Sequence, residues 1–539
     1  MPSHDRVDLL TSQAPLSDAA TRRLSRRAFL TCGVALLALA ALPGALRAEP
    51  EAPQPFSFDL LTEAARLRAA EPDQPKPDAD PVLQKLDYDA YQQIAFRPER
   101  AVWEGEVPGW QMQAFHTGWL FDRPVQLHEV VGDQESLLEF SSADFDYRHE
   151  VKDLIPEGFK LPGVAGFKLT HPLNAADQQD EIAAFLGASY FRALGRGNRY
   201  GLSARGIAID SGLPQPEEFP RFSEFWMQRP AGNGAPLTLW ASLDSARLTG
   251  AYQFVIRPGA VTEVEVTARL FFRESVTEIG IAPLTSMFLF GPINRHGFDD
   301  YRPQVHDSDG LRIVREDGDV IWRALSNPKE LATSYFAETR PRSFGLHQRS
   351  RAFEDFQDPF ARYDLRPSLD VVPLGDWGSG KVRLFELPTT LEIHDNVGAF
   401  WVPGQQPTPG EVFEISYLLR WGDLTSELAG DLAYIADTFS GVGGAAGIDP
   451  PPDIRKFVID FEGGLLADAA GDDANIKPVV TVNGGETKFV ALEKLAESNR
   501  WRLNLDLVAP KGALVEITAH IAGYGRKLSE IWSFQWKKV

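Results

Sequence analysis

Residues 261–272 read VTEVEVTARLFF and alternate between apolar and polar side chains. One side of this alternation is apolar and consists of Val264, Val266, Ala268 and Leu270. The other side is polar and consists of Glu263, Glu265, Thr267 and Arg269. A period of two residues is typical of a β-strand with one buried face, so the segment predicts a half-buried strand.

Segments of the same kind recur on both sides of this strand. Six of them read APLTLWASLDS (235–245), AYQFVIRPG (251–259), KVRLFELP (381–388), EVFEISYLLRW (411–421), RWRLNLDLVAP (500–510) and ALVEITAHIAGYG (513–525). The chain of 539 residues also holds 39 Pro and 45 Gly, which separate these segments as turns. Many short strands between turns favour an all-β fold of packed sandwiches over βαβ units. One short helix, DLLTEAARLRAA (59–70), is predicted before them.

The domain organisation is predicted from a proline-rich break. The window VPGQQPTPGE (402–411) contains three Pro, which favours a stiff linker at residues 403–410. The residues before it, 49–402, suit one large β-sandwich. The residues after it, 411–539, suit one immunoglobulin-like sandwich.

The N-terminal segment predicts export from the cytoplasm. Residues 24–50, LSRRAFLTCGVALLALAALPGALRAEP, combine a basic pair, a short apolar run and small residues at its end. This order is typical of a secretory signal, and the SRRAFL string around Arg26-Arg27 favours the twin-arginine route. We therefore predict a twin-arginine signal at 1–48 and a periplasmic mature chain. The single cysteine, Cys32, lies inside this signal, so the mature chain has no thiol for catalysis or disulfides.

Composition and motif content exclude several functions. The net charge of −21 disfavours a general nucleic-acid binder, which needs clustered Lys and Arg. The sequence has no G-x-S-x-G elbow, no H-E-x-x-H pair and no phosphate-binding Walker loop. It also has no dinucleotide fingerprint in a strand–turn–helix setting. Carboxylates are therefore the strongest candidates for chemistry.

Two aspartates, Asp307 and Asp309, lie two positions apart in QVHDSDGL (304–311). On a strand they would share one face, and a carboxylate pair of this kind suits proton transfer. The same D-x-D pattern could hold a cation. An Asp-rich turn without a chemical role is the alternative interpretation.

A second segment mixes carboxylates with aromatic side chains. FEDFQDPFARYDLRPSL (353–369) contains Asp358 and Tyr363 among several Phe residues. Sugar sites use this combination, because aromatic rings stack on sugar C–H faces and carboxylates accept from hydroxyls. An ordinary loop whose aromatics fill the core is equally compatible. Trp377, in GDWGSG (375–380), leaves the same two interpretations open.

Several longer strings resemble the periplasmic glucans biosynthesis protein G/D family. They occur in family order and include FLGASYFRALGRGNRYGLSARGIAID (185–210), IAPLTSMF (281–288), RPQVHDSDGL (302–311), FGLHQRSRAFEDFQDPFARYDLRPSL (344–369) and DNVGAFWVP (395–403). The resemblance implies a large galactose-mutarotase-like β-sandwich followed by an immunoglobulin-like domain. The twin-arginine signal is more similar to the D type than to the G type.

The resemblance also implies a catalytic site. The family's general acid corresponds to Asp395 in the DN pair, and its general base corresponds to Asp307 in HDSD. Substrate-binding positions implied in the same way are Asp309, Asp358, Tyr363, Arg366, Trp377 and Trp401. Because apolar residues bracket Asp395, we expect burial to raise its pKa and keep it protonated, whereas Asp307 should stay ionised.

The implied function is action on β-1,2-glucan with inversion, in the synthesis of osmoregulated periplasmic glucans. The chain would act either as a hydrolase or as a transglycosylase that closes a ring through an α-1,6 bond. The alternative is a non-catalytic module that binds the nascent glucan and guides it. Partner hypotheses are β-1,2-glucan, an inner-membrane glucan synthase and a second copy in a homodimer. No nucleic acid, metal or cofactor is implied.

Overall fold

A computed structural model describes residues 54–74, 80–232, 234–425, 430–444, 447 and 453–538. The signal predicted at 1–48 lies outside the described residues. The fold is 48% strand and 9% helix, which confirms the all-β prediction. Within the described part of the chain, no helix is both long and apolar enough to cross a membrane.

The described elements are numbered in chain order. Strands β1–β17 are Gln54–Pro55, Ile94–Phe96, Gln111–Phe115, Gln126–Val131, Gln134–Leu137, Phe145–Tyr147, Gly166–Pro172, Gln179–Leu186, Tyr190–Ala193, Ser203–Arg205, Ala208–Ile209, Arg221–Gln228, Leu237–Asp244, Leu248–Arg257, Val261–Phe272, Ile279–Ser286 and Phe288–Phe290. Strands β18–β34 are Val305–His306, Gly310–Val314, Val320–Ala324, Ala332–Thr339, Ser343–His347, Ser368–Leu374, Ser379–Glu386, Val397–Pro403, Val412–Gly422, Tyr434–Val442, Arg455–Glu462, Lys477–Asn483, Glu486–Lys494, Trp501–Val508, Leu514–Gly523, Arg526–Lys527 and Ile531–Lys537. Helices α1–α3 are Phe58–Ala69, Tyr88–Tyr91 and Phe353–Phe356.

Two sheets form the large sandwich. The first runs β1-β5-β4-β12-β13-β14-β15-β26-β23-β22-β19-β20, and the second runs β21-β24-β25-β16-β10-β9-β8-β7-β3. The segment at 261–272 is β15, and its apolar side chains are buried in the alternation that the sequence predicted. These side chains, such as Val266, join one hydrophobic core with side chains of the second sheet, such as Leu284 and Ala399.

Helix α1 covers part of the first sheet. The hydroxyl of Ser57 accepts a hydrogen bond from the backbone N–H of Leu60 at 3.1 Å and so caps the start of the helix. Leu61 and Ala65 are buried in a small hydrophobic cluster that includes Trp226. The helix predicted at 59–70 is therefore confirmed, since its apolar positions pack on the sheet.

The second sandwich begins later in the chain than predicted. β26 lies between β15 and β23, in the interior of the first sheet of the large sandwich. Residues 403–410, predicted as an interdomain linker, carry the chain from β25 in one sheet to β26 in the other. The boundary predicted at 411 is therefore wrong by one strand. Proline-rich composition indicates a break between strands, but such a break occurs within a sandwich as readily as between two of them.

The second sandwich shares a sheet with the first. Its separate sheet runs β27-β28-β31-β30, whereas β34-β32-β29 extend the first sheet of the large sandwich, because β34 pairs in parallel with β20. The result is one continuous sheet of 16 strands. Arg349 reinforces the junction through two hydrogen bonds of 2.8 Å to the carboxylate of Glu530.

Candidate active site

Asp395 lies in the short connection that leads into β25, and its neighbour Asn396 fixes the backbone there. The Asn396 amide donates to the carbonyl oxygens of Phe288 at 3.1 Å and Leu387 at 2.9 Å. Its side-chain oxygen accepts from the backbone N–H of Phe288 at 2.8 Å. Asn396 is buried with these bonds made, which explains a polar residue in an apolar stretch. Asp395 is half-buried and remains available for chemistry.

Asp307 reaches the same region from another part of the chain. It directly follows β18, which pairs with β17, the strand held by Asn396. The backbone N–H of Asp307 donates to the carbonyl oxygen of Met287 at 2.8 Å. The Arg366 guanidinium lies 3.5 Å from a carboxylate oxygen of Asp307 and forms an ion pair with it. Strand β17 and the residue before it therefore anchor both aspartates.

The two carboxylates, Asp307 and Asp395, interact electrostatically and are called the carboxylate pair below. Burial, followed by the negative charge of Asp307, raises the pKa of Asp395 to about 7. The charge of Arg192, the Thr285 hydroxyl and the charge of Arg366 act in the opposite direction but are outweighed. The prediction that burial raises the pKa of Asp395 is confirmed. Near neutral pH, a substantial fraction of Asp395 is therefore protonated.

Tyr363 and Arg366 lie beside Asp307, in the segment where the sequence placed them. Burial, and then the negative charge of Asp307, raises the pKa of the Tyr363 phenol. The Arg366 guanidinium lies 5.2 Å from the centre of the Tyr363 ring. The side chain of Gln348 donates to the carbonyl oxygens of His306 at 3.3 Å and Tyr363 at 3.1 Å, so it ties the two segments together. Substrate contact by Tyr363 and Arg366 stays a prediction.

Asp358 is engaged by the protein itself. One of its carboxylate oxygens accepts from the backbone N–H groups of Phe360 and Ala361, at 2.9 and 2.8 Å. The other accepts from Arg302 at 2.9 Å, and Arg302 also pairs with Glu392 at 2.8 Å. Burial raises the pKa of Asp358, but these hydrogen bonds and the charge of Arg302 outweigh burial and lower it. Asp358 therefore holds Arg302, which also pairs with Glu392, three residues before Asp395.

Asp307 and Asp309 do not lie on a strand, contrary to the expectation on which a shared face was based. Residues 307–309 lie between β18 and β19 rather than within a strand. A carboxylate oxygen of Asp309 accepts from the backbone N–H groups of Arg349 at 3.0 Å and Ser350 at 3.3 Å. Burial raises the pKa of Asp309. Among the described residues, no group of three or more His, Cys, Asp or Glu side chains could hold a metal ion.

The two tryptophans predicted to bind substrate belong to the hydrophobic core. Trp377 and Trp401 are 7% and 1% exposed, and their ring centres lie 6.0 Å apart. The Trp377 indole N–H donates to the carbonyl oxygen of Ser416 at 3.1 Å. Neither ring can stack on a sugar in this position, so both predictions are wrong. The alternative interpretation of Trp377, a turn with a packed indole, is the correct one.

Three residues next to Asp395 were not singled out from the sequence. Tyr190 and Arg192 lie on β9, and Thr285 lies on β16. Arg192 and Thr285 influence the pKa of Asp395, and the charge of Asp395 contributes to the pKa of Tyr190, which burial raises. All three fall in strings that carry the family resemblance. No local pattern marks them, since only the pairing of strands distant in sequence places them at the site.

Comparison with known proteins identifies relatives over nearly the whole chain. Residues 56–536 match a family described as periplasmic glucan biosynthesis protein, MdoG. A glucans biosynthesis protein G of Cereibacter sphaeroides is 50% identical over 540 residues, covering 97% of this chain and 100% of the relative. A glucans biosynthesis protein G of Ralstonia nicotianae is 41% identical over 510 residues, covering 93% and 98%. A probable glucans biosynthesis protein D of Shewanella oneidensis is 37% identical over 531 residues, covering 97% and 96%.

These identities do not support the D-type preference drawn from the twin-arginine segment, since the two relatives named G match more closely than the relative named D. The match to the family is nevertheless continuous, and it spans both sandwiches and the carboxylate pair. The chain therefore belongs to the MdoG family of periplasmic glucan biosynthesis proteins.

Proposed function

We propose that this protein is a periplasmic enzyme of glucan biosynthesis that acts on β-1,2-glucan with inversion, through Asp395 and Asp307. The names of its relatives support a role in periplasmic glucan biosynthesis. The observation that carries the catalytic part is the pKa of about 7 at Asp395, raised by burial and by the nearby charge of Asp307. Enzymes that cleave a glycosidic bond usually use two carboxyl groups whose environments differ.

Asp395 has the properties of a general acid. A carboxyl group with a pKa near neutrality is protonated often enough to donate, and it becomes a carboxylate after donation. In the proposed reaction, Asp395 gives its proton to the glycosidic oxygen as the bond from that oxygen to the anomeric carbon breaks. Its half-buried position leaves it partly accessible while neighbouring groups displace most of the surrounding water.

Asp307 has the properties of a general base. The guanidinium of Arg366, 3.5 Å away, is a cationic partner for its carboxylate. In the proposed reaction, Asp307 removes a proton from the attacking hydroxyl group as the new bond to the anomeric carbon forms. Inversion requires attack from the face opposite to the departing oxygen.

The nature of the attacking group decides the product. Attack by water shortens the glucan, and the product has gained one water molecule. Attack by a glucose 6-hydroxyl of the same chain closes a ring through an α-1,6 bond, and the released fragment carries the proton from Asp395. Both reactions use the same two carboxylates, so they differ only in which hydroxyl group the site admits.

The test is incubation of the mature protein with linear β-1,2-glucan, followed by mass spectrometry and proton NMR. Shorter chains with an added water, or rings with an α-1,6 anomeric signal, are the expected products. The variant Asp395→Asn should form neither product. Its matched control is Asp472→Asn, which removes a carboxylate from the exposed surface of the second sandwich. An unchanged polymer that stays bound to the protein would instead favour the non-catalytic glucan-binding function.

A further inference from the structure

A cavity of about 230 Å³ lies beside β9, outside the carboxylate pair. Its walls include the rings of Phe121, Tyr190 and Phe219. Two cationic side chains, Arg123 and Arg221, also line it. The cavity therefore combines aromatic surface with charged hydrogen-bonding groups, which is the usual composition of a ligand site. It is called the aromatic cavity below.

Tyr190 connects the aromatic cavity to the carboxylate pair. Its ring lines the cavity, and its phenol is close enough to Asp395 for the two groups to interact. The guanidinium of Arg205 lies 5.1 Å from the Tyr190 ring centre and 5.0 Å from that of Phe219. Arg205 is 4% exposed and pairs with Glu217 at 2.6 Å. A buried cation thus holds two rings of the cavity wall in fixed positions.

We propose that the aromatic cavity is a glucosyl-binding subsite for the same β-1,2-glucan chain that the carboxylate pair processes. The inference rests on the proposed function and adds a place where the chain is held away from the reacting bond. In this arrangement a glucan bound at Asp395 would pass Tyr190, which lines the cavity and interacts with Asp395, and would then enter the cavity. Only chains long enough to reach from Asp395 to the aromatic cavity fill the subsite, so the subsite selects for chain length.

The chemistry of the lining favours a sugar over other ligands. Aromatic rings pack on the C–H faces of a pyranose, as Phe219 and Phe121 can do here. The guanidinium of Arg123 donates hydrogen bonds, and the carboxylate of Asp122, which also lines the cavity, accepts them. Sugar hydroxyls do both. The carboxylate of Asp122 offsets one of the two guanidinium charges, and the charged side chains disfavour a wholly apolar ligand.

The test compares the binding of long and short glucans when turnover is absent. In the Asp395→Asn background, isothermal titration calorimetry measures the affinity for linear β-1,2-glucans of increasing length. Phe219→Ala is expected to weaken the binding of long chains about three- to tenfold, the effect of losing one stacking ring, and to leave short chains unchanged. Phe219 is 41% exposed, and the matched control is Phe489→Ala, a ring 50% exposed on β30 of the second sandwich.

A second variant, Arg123→Gln, tests the same cavity at an exposed position without removing a packed ring. A loss of affinity confined to long chains, in either variant and not in the control, supports the subsite. If both variants bind long chains as tightly as the Asp395→Asn parent protein does, the subsite is refuted and the proposed function stands. An equal loss for short and long chains would refute it too, because the cavity would then contact the reacting end. A parent that binds no β-1,2-glucan at all overturns the proposed function and this inference together.

Discussion

Asp395 and Asp358 are two aspartates of one region with opposite electrostatic environments. Burial and the charge of Asp307 raise the pKa of Asp395 to about 7. Asp358 is also buried, but two backbone N–H groups and Arg302 donate to it and lower its pKa. Both residues lie in strings shared with the family, and both were predicted to belong to the site. The structure separates them by what surrounds each carboxylate.

The difference shows how a structural carboxylate can be told from a reactive one. A carboxylate whose lone pairs are filled by the protein stabilises a loop and stays ionised. A carboxylate that is buried beside another negative charge keeps a proton near neutral pH and can give it away. Asp358 has the surroundings of the first kind and Asp395 has those of the second. Each of the following experiments can strengthen or break this distinction.

The largest expected difference is in catalysis. Asp395→Asn should lower kcat/KM on linear β-1,2-glucan by at least about 10²-fold, because the amide cannot serve as an acid. Asp358→Asn keeps an oxygen that accepts hydrogen bonds from the backbone. Its kcat/KM should therefore fall by less than about tenfold, since both proposed reacting carboxylates remain. Product formation measured by mass spectrometry gives both values. Equal losses in the two variants would break the distinction.

The second expected effect is on the pH dependence of activity. With a pKa of about 7, Asp395 loses its proton as the pH rises, so kcat/KM should fall about tenfold per pH unit on the alkaline side of that value. Asp358, with its lowered pKa, is ionised throughout this range and should add no alkaline limb. Initial rates measured from about pH 5 to about pH 9 check this. A profile that stays flat through about pH 8 contradicts the assignment of Asp395 as the acid.

The third effect is on stability, and its sign is unusual for an aspartate. The pKa of Asp395 is higher in the folded chain than its ordinary value of 3.8, so the folded state binds the proton more tightly than the unfolded state. Stability is therefore lost as the pH rises from about 4 to about 7. Asp395→Asn should unfold at a temperature a few degrees higher than the wild type at about pH 8, with no gain near pH 4. An equal shift at both pH values would point to packing rather than ionisation.

The smallest effect is expected for Asp358, and it has the opposite sign. Its folded-state pKa is lowered, so its contribution to stability is present above its unfolded pKa and is lost as the pH falls through the folded value. Asp358→Asn should lower the free energy of unfolding by about 1 kcal/mol at neutral pH, because Arg302 loses one charged partner. Urea unfolding at neutral and acidic pH measures this. A cost that is independent of pH would mean that the charge is not responsible.

Much of the fold follows from local pattern. The alternation in 261–272 gave β15, and the apolar positions of 59–70 gave α1, because burial on one face imposes a period on the sequence. The domain boundary could not be predicted from the local sequence pattern. β26 has the pattern of a half-buried strand, and such a strand fits either sandwich. Only its pairing with β15 and β23, which are distant in sequence, places it in the first.

The surroundings of the candidate site residues were predictable to a similar degree. Asp395 and Asp307 follow from the family strings, and the raised pKa of Asp395 follows from its apolar neighbours. Substrate contact by the two tryptophans was predicted wrongly. An indole beside turn residues can face a cleft or the core, and Trp377 and Trp401 face the core. Tyr190 could not be recognised, because its closeness to Asp395 depends on how the strands are ordered in the second sheet.

The parallel pairing of β20 with β34 has a consequence for the solubility of the folded chain. Without β34, the backbone N–H and C=O groups of β20 would form an open sheet edge, which invites pairing with other molecules. Trp532 and Phe534 of the covering strand are also buried, so their loss would expose apolar surface beside that edge. Truncation before residue 531 is therefore expected to give an aggregating protein even where the large sandwich itself can form. The second sandwich would thus serve as a protective cover for the first as well as a module of its own.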